Sequence, residues 1–338
     1  MNERLARALR REPVDATPVW FMRQAGRCLP RYREMRAERG IAELIADPAA
    51  AAEVTAMPLD YFDVDAAVLF MDLSTPFVGA GLGVRFDPGV GPVIVSGFDG
   101  PADADRLRPF EPRDTLGFVL ETIRLVRGRL DVPVIGFVGG VFTLISYMLP
   151  GSRAARLQAL RTLLWQEPAT WDRLASYWTD QLAEFAIAQA EAGAGAIQLF
   201  DSWAGVLSPE DYDTHVLDHS RRLLSRLSEA GVPTIHFATG NPALLPSLAR
   251  AGGDAIGIDW RVPLDQGWSS IGHDRAVQGN LDPTKLLAGE EEAVRSARAV
   301  LAKAGGRPGH VFNVGHGLLP ETDPAVVSAV VDAVHEGV

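Results

Sequence analysis

Eight short apolar runs, separated by segments with helical periodicity, constrain this chain more than any other feature. They are PVWFM (18–22), DAAVLFM (65–71), VPVIGFV (132–138), GAIQLF (195–200), VPTIHFA (232–238), DAIGIDW (254–260), RAVQGN (275–280) and HVFNVG (310–315). Each is nearly continuous in its hydrophobicity, as expected of strands buried on both faces of a parallel sheet. Eight such runs alternating with helices predict a single-domain (β/α)8 TIM barrel over residues 1–338. A doubly wound open sheet satisfies the same count, but no glycine-rich dinucleotide fingerprint follows the first run. Between the second and third runs, VRFDPGVGPVIV (84–95) reads as an extra β-hairpin inserted into the barrel. DPGVGP and SGFDGP are loop-like, yet too short to separate domains.

The helices carry their own punctuation. Leu116, Val119, Leu120, Ile123, Val126 and Leu130 recur at helical spacing after a candidate cap at Asp114. Near the C-terminus, Thr322-Asp323-Pro324 precedes Val326, Val327, Val330, Val331 and Val334, and Gly337 follows. That order is a cap, a first-turn proline, a core stripe and a terminating glycine.

Composition narrows the function classes. The chain has 338 residues, 47% of them hydrophobic, with 43 acidic against 32 basic side chains and a net charge of −11. An acidic surface argues against nucleic acid as a partner. No apolar run approaches the ~20 residues needed to cross a bilayer, and MNERLARALRREPVD lacks the apolar stretch of a signal peptide. The one cysteine, Cys28, forms no internal disulfide and no cysteine-rich metal site, which points to the cytoplasm. Schiff-base chemistry has two candidates, Lys285 and Lys303, both on what read as surface helices.

In a barrel the active site lies at the C-terminal ends of the strands. The residues there are Arg23-Gln24-Ala25-Gly26-Arg27, Asp72, GGVFTLISY ending at Tyr147, Asp201-Ser202-Trp203, His236 and Thr239, Asp259, Gln278 and Asn280, and Asn313-Val314-Gly315-His316-Gly317. Polar side chains cluster at one end of every run. Two arginines directly after a greasy strand, in an acidic chain, suit an anionic small molecule.

The blocks PVWFMRQAGR, DAAVLFMDL, GFVGG-FTL-SYM, QLFDSWAG, QGNLDP and FNVGHG resemble the uroporphyrinogen decarboxylase family, in the family's order and across essentially the whole chain. The first block is highly specific. The resemblance implies a single barrel, a homodimer, and removal of the four acetate carboxyls of uroporphyrinogen III to give coproporphyrinogen III in haem biosynthesis, with no metal and no organic cofactor. It implies that Arg23, Gln24, Ala25, Gly26 and Arg27 form a substrate-binding segment. Asp72 would face the pyrrole nitrogens, with Tyr147, Ser202 and His316 as further polar contacts. Asp72, Arg23, Arg27 and His316 would be the catalytic group, and Phe70, Phe137 and Phe200 the apolar walls. The chain departs from the family pattern at Cys28 and Arg31, at Gly140-Val141-Phe142 and at Leu149-Pro150, while every matched polar position is intact.

The chemistry asks for these residue types. Eight carboxylates call for arginine, which binds them bidentately and stays charged when partly buried. Loss of CO2 needs an electron sink, which a pyrrole protonated beside the acetate-bearing carbon can supply. A carboxylate such as Asp72 would stabilise that cation. His316, with an ordinary histidine titration, is the conventional proton donor. Three readings compete: a cobalamin-linked methyltransferase of the same superfamily, a non-catalytic tetrapyrrole-binding protein, and an unrelated barrel enzyme acting on a phosphorylated sugar. The first needs a zinc site that one cysteine does not supply. The second would be favoured by loss of Asp72, and the third by a stronger phosphate loop than GNLDP or VGHGLLP.

Overall fold

The computed structural model describes residues 3–87 and 91–337. Its strands in chain order are β1 (Ala67–Val68), β2 (Gly83–Asp87), β3 (Gly91–Ser96), β4 (Val134–Gly139), β5 (Ala194–Asp201), β6 (Thr234–Ala238), β7 (Ala255–Gly257), β8 (Ala276–Gln278) and β9 (His310–Val311). The order β1-β4-β5-β6-β7-β8-β9 forms one sheet in which every neighbouring pair is parallel. Helices alternate with these strands, among them Gly117–Arg127, Pro168–Glu191, Leu217–Glu229, Leu264–Ile271 and Glu290–Ala304. Strands β2 and β3 form the antiparallel hairpin expected from 84–95, and its turn at 88–90 lies outside the described residues.

The first apolar run does not become a ladder strand. It lies between β9 and β1 as a single parallel bridge, Val19 to Phe312. Trp20 N–H donates to Phe312 O (3.3 Å), Phe312 N–H to Pro18 O (2.8 Å) and Asp65 N–H to Val19 O (2.8 Å). Buried Asp65 also accepts from Val19 N–H (2.8 Å), from Arg4 on the N-terminal helix (2.6 Å) and bonds His335 on the last helix (2.9 Å). This carboxylate joins both ends of the chain where the sheet curls round to meet itself.

The barrel interior is filled, as the fold requires. Trp20 Nε1 donates to Gln278 Oε1 (3.0 Å), and Gln278 Nε2 donates to Gln198 Oε1 (3.1 Å). Gln278 therefore belongs to the core, not to the mouth where its place in the sequence put it. Asn280 likewise is spent on the carbonyls of Asp259 and Val262. Outside, Gln189 on helix Pro168–Glu191 exchanges two hydrogen bonds with the backbone of Phe137 and fixes that strand residue (3.0 and 3.1 Å).

Two helix boundaries test the sequence signals. Asp323 caps helix Pro324–Glu336 by accepting from Ala325 N–H (2.9 Å), and Gly337 ends it at φ 80°, as expected. Asp114 is not a cap: it falls within the turn Pro112–Thr115, where Glu111 caps instead, and the main helix starts at Gly117. Proline at 112 starts a helical turn earlier than the apolar stripe alone indicates.

Candidate active site

The C-terminal ends of the strands surround a cleft of about 230 Å3. Arg23, Ala25 and Arg27 line it from the segment after the first run, with Asp72, Tyr147, Ser202 and His316 from later loops. Phe70, Phe137 and Phe200 form apolar walls as expected, and Phe237 extends them. Phe200 packs edge-on against Phe137 (5.5 Å) and Phe237 (6.1 Å).

The arginine segment is held from below. Gln24 is fully buried, and its Oε1 accepts from Phe21 N–H (2.8 Å) while its Nε2 donates to Ala66 O (2.8 Å). Met22 N–H donates to Asn313 Oδ1 (3.0 Å), and Leu318 N–H to Met22 O (2.9 Å). Arg23 itself takes φ 65°, a left-handed conformation that costs a side-chain-bearing residue on the order of 1–2 kcal/mol. Gly26, at φ 119°, lets the Tyr32 ring pack against the loop. Gln24 and Gly26 thus shape the segment, and neither is among the residues that line the cleft. A side chain that folds back on its own turn leaves no trace in a linear motif.

Arg23 and Arg27 make no hydrogen bond or ion pair within the described residues, and both act electrostatically on Asp72 and His316. Arg23 is accessible along the open cleft, yet the cleft walls desolvate its guanidinium. With the repulsion of Arg27, this brings it down to about 10, so it remains charged at neutral pH. One oxygen of Asp72, Oδ1, accepts from Ser74 Oγ (2.5 Å) and Ser74 N–H (2.9 Å). The other, Oδ2, has no partner within the described residues. Burial raises the Asp72 carboxyl above its ordinary value, against the pull of Ser74 and the two arginines.

Tyr147 Oη accepts from Trp203 Nε1 (3.1 Å), and burial with the Asp72 charge pushes it up to about 12. His316 sits edge-on to Trp260 at 5.9 Å. Burial and the charge of Arg23 bring it down to about 4. His316 is therefore a neutral imidazole at neutral pH, contrary to the expectation of an ordinary titration.

Several of the strand-end residues to which the sequence reading gave no role support the site. Fully buried Asp201 accepts from Thr143 Oγ1 (3.0 Å), and the same hydroxyl accepts from Trp203 N–H (3.0 Å). Gly140 leaves room for this carboxyl, because a Cβ there would stand 2.5 Å from Asp201 Cγ. Asp201 Oδ2 has no partner among the described residues, and burial raises the acid to about 6. Asp259 accepts from Gly240 N–H (2.8 Å) and Arg261 N–H (2.9 Å), clamping two mouth loops together. The signals were the acids of DSW and IDW at strand ends. Cys28 is buried away from the cleft, and Arg31 pairs with Glu53 at 2.5 Å on the outside. Lys285 is bound to Glu292 at 2.8 Å, and neither lysine lines the cleft. Among the described residues, no group of three or more His, Cys, Asp or Glu is arranged to hold a metal ion.

Fold and cleft together define a barrel whose strand-end cleft carries two arginines around one half-buried carboxylate. The chain belongs to the uroporphyrinogen decarboxylase family: the family described as "Uroporphyrinogen decarboxylase (URO-D)" matches residues 1–337. A uroporphyrinogen decarboxylase from Sorangium cellulosum is 48% identical over 337 residues, covering 99% of this chain and 96% of that one. Another from Chloroflexus aggregans is 43% identical over 339 residues, covering 99% and 95%. Among solved structures, a methyltransferase from Methanosarcina mazei superposes with a TM-score of 0.84 over 99% of this chain and 98% of that one, at 22% identity. That likeness concerns the fold alone.

Proposed function

We propose that this chain decarboxylates uroporphyrinogen III to coproporphyrinogen III as one barrel domain spanning 1–338, acting as a homodimer in the cytoplasm. The observation that carries the reading is Asp72: a half-buried carboxylate lining the cleft, with one oxygen unbonded among the described residues, flanked by two arginines that make no ion pair there and walled by phenylalanines. Among the described residues no helix is long and apolar enough to cross a membrane.

In this reading Arg23 and Arg27 hold the carboxylate arms of one pyrrole, and the aromatic walls pack against the macrocycle. A proton adds to the ring carbon beside the acetate-bearing carbon and makes an iminium cation. Asp72 Oδ2 accepts from the pyrrole N–H groups and stabilises that charge. The bond to the carboxyl carbon breaks, its electron pair neutralises the cation, and CO2 leaves. Protonation of the resulting methylene gives the methyl group, and the ring carbon gives its added proton back as the pyrrole regains aromaticity, so each acetate consumes one proton net and releases one CO2. Neutral His316, Tyr147 and Ser202 are polar contacts for the arms. Arg23 and Arg27 position the carboxyl or water that delivers the proton, because His316 is a neutral imidazole at neutral pH and has no imidazolium proton to give. Gln24 and Gly26 act by shaping the arginine segment.

The test is anaerobic. Chelator-treated protein is mixed with freshly reduced uroporphyrinogen III, and the products are oxidised and resolved by carboxyl number. Hepta- through tetracarboxyl species support the reading. An intact octacarboxyl substrate that nevertheless binds would make the chain a tetrapyrrole-binding protein.

A further inference from the structure

The inner cleft is small for a macrocycle with eight charged arms, and it contains two arginines. Across Ser202 and His316, which face both spaces, it opens into an outer cleft of about 1130 Å3. One wall of this outer space is a face of helix Arg153–Gln166, where Arg153, Leu157 and Arg161 follow at four-residue spacing and 60%-exposed Trp165 ends the row. The opposite wall comes from the strand-end loops with Trp203, Trp260 and Arg261. Three arginines line the space and no aspartate or glutamate does, in a chain with 43 acidic residues against 32 basic ones. Arg153 and Arg161 make no hydrogen bond or ion pair within the described residues. The Arg153 guanidinium lies over the Trp203 ring at 5.2 Å; that of Arg261 lies over Trp260 at 3.7 Å and is already paired with Asp259. Stacking on a ring face holds a guanidinium while leaving its N–H edge free for a carboxylate.

We propose that the outer cleft is a second carboxylate-binding subsite, in which Arg153 and Arg161 take the arms of the macrocycle that are not in reaction. This rests on the function proposed above. The inner cleft then processes one pyrrole while the outer cleft holds the others. Each acetate turned into methyl removes one charge from the rim, so the hold weakens stepwise from the octacarboxyl substrate to the tetracarboxyl product.

The experiment is steady-state kinetics of the full-length Arg153→Gln/Arg161→Gln double variant on uroporphyrinogen III and on the pentacarboxyl intermediate, beside wild type and Arg153→Lys/Arg161→Lys. KM for the octacarboxyl substrate is expected to rise about tenfold in the glutamine variant. The rise should be smaller for the pentacarboxyl compound and partly reversed by lysine. Sedimentation velocity is run on the same samples. An unchanged KM with active wild type overturns the subsite and leaves the decarboxylase reading standing. A KM change that tracks a change in oligomeric state also overturns it, because the face is then a contact between copies. Wild type that fails to turn over uroporphyrinogen removes the function and this proposal with it. Both arginines are exposed and make no hydrogen bond or ion pair among the described residues, so folding is expected to survive, and the lysine pair reads the charge effect if the glutamine pair does not fold.

Discussion

Gly317 lies against the side chain of Arg23: a Cβ built on Gly317 would stand 2.7 Å from Arg23 Cδ. The last strand-end loop thus makes the room in which the first loop's arginine lies. Gly317→Ala is expected to displace the flexible arginine and raise KM several-fold, with little loss of Tm. A Tm drop with unchanged KM would show that the glycine serves packing alone.

Arg23 holds its left-handed backbone at a cost that its position in the cleft offsets. Arg23→Gly should therefore leave the thermal midpoint level or slightly raised, since glycine adopts φ 65° without a Cβ clash. Substrate binding should fall by tenfold or more in the same variant. A marked loss of Tm would mean that the side chain is a structural strut.

Asp72→Asn keeps the shape and removes the charge. Removing one preorganised electrostatic group costs catalysis roughly 10²–10³-fold, and product analysis by carboxyl number reads that loss directly. The raised carboxyl places the acid limb of the rate profile above the ordinary aspartate range, with activity falling as pH drops through it. Ser74→Ala removes the hydroxyl bond that opposes the rise, so its acid limb should move to higher pH. A limb that stays in place would separate Asp72 from the profile.

His316 should contribute no limb between pH 5 and 8, because it gains its proton only near pH 4. His316→Asn and wild type are expected to share the shape of their kcat/KM profiles across that window. A limb near pH 6.5 that disappears in the variant would restore the imidazole as a proton donor.

Asp201 offers a test in stability. Its folded-state value of about 6 exceeds the ordinary 3.8, so the neutral acid favours the fold at low pH and this contribution is lost as pH rises through 6. Asp201→Asn cannot charge. Its stability relative to wild type should climb by on the order of 2–3 kcal/mol between pH 4 and pH 8. A flat difference in denaturation midpoints would show that Asp201 is not buried as a charge.

Much of this was legible in the sequence because burial writes itself as apolar runs. The hairpin at 84–95, the Asp323 cap and the ring of polar residues after each strand follow from that grammar. PVWFM did not reveal that it would meet its neighbours through one bridge, since backbone pairing depends on where both partners lie. Gln24 looked like a cleft residue because it stands between two arginines, but its amide serves the backbone of its own turn. The charge state of His316 depends on its burial and then on Arg23, nearly three hundred residues away in the chain. Arg153 and Arg161 sit on a helix without a distinctive motif, and they gain meaning only when Trp203 and Trp260 stand opposite.

The closure of the sheet has a consequence for synthesis. Arg23 leaves the ribosome early, but the groups that fix its loop, Asn313 and Leu318, are made last. Asp65 too waits for His335. A chain that stops short of Asn313 therefore carries the arginines without their scaffold.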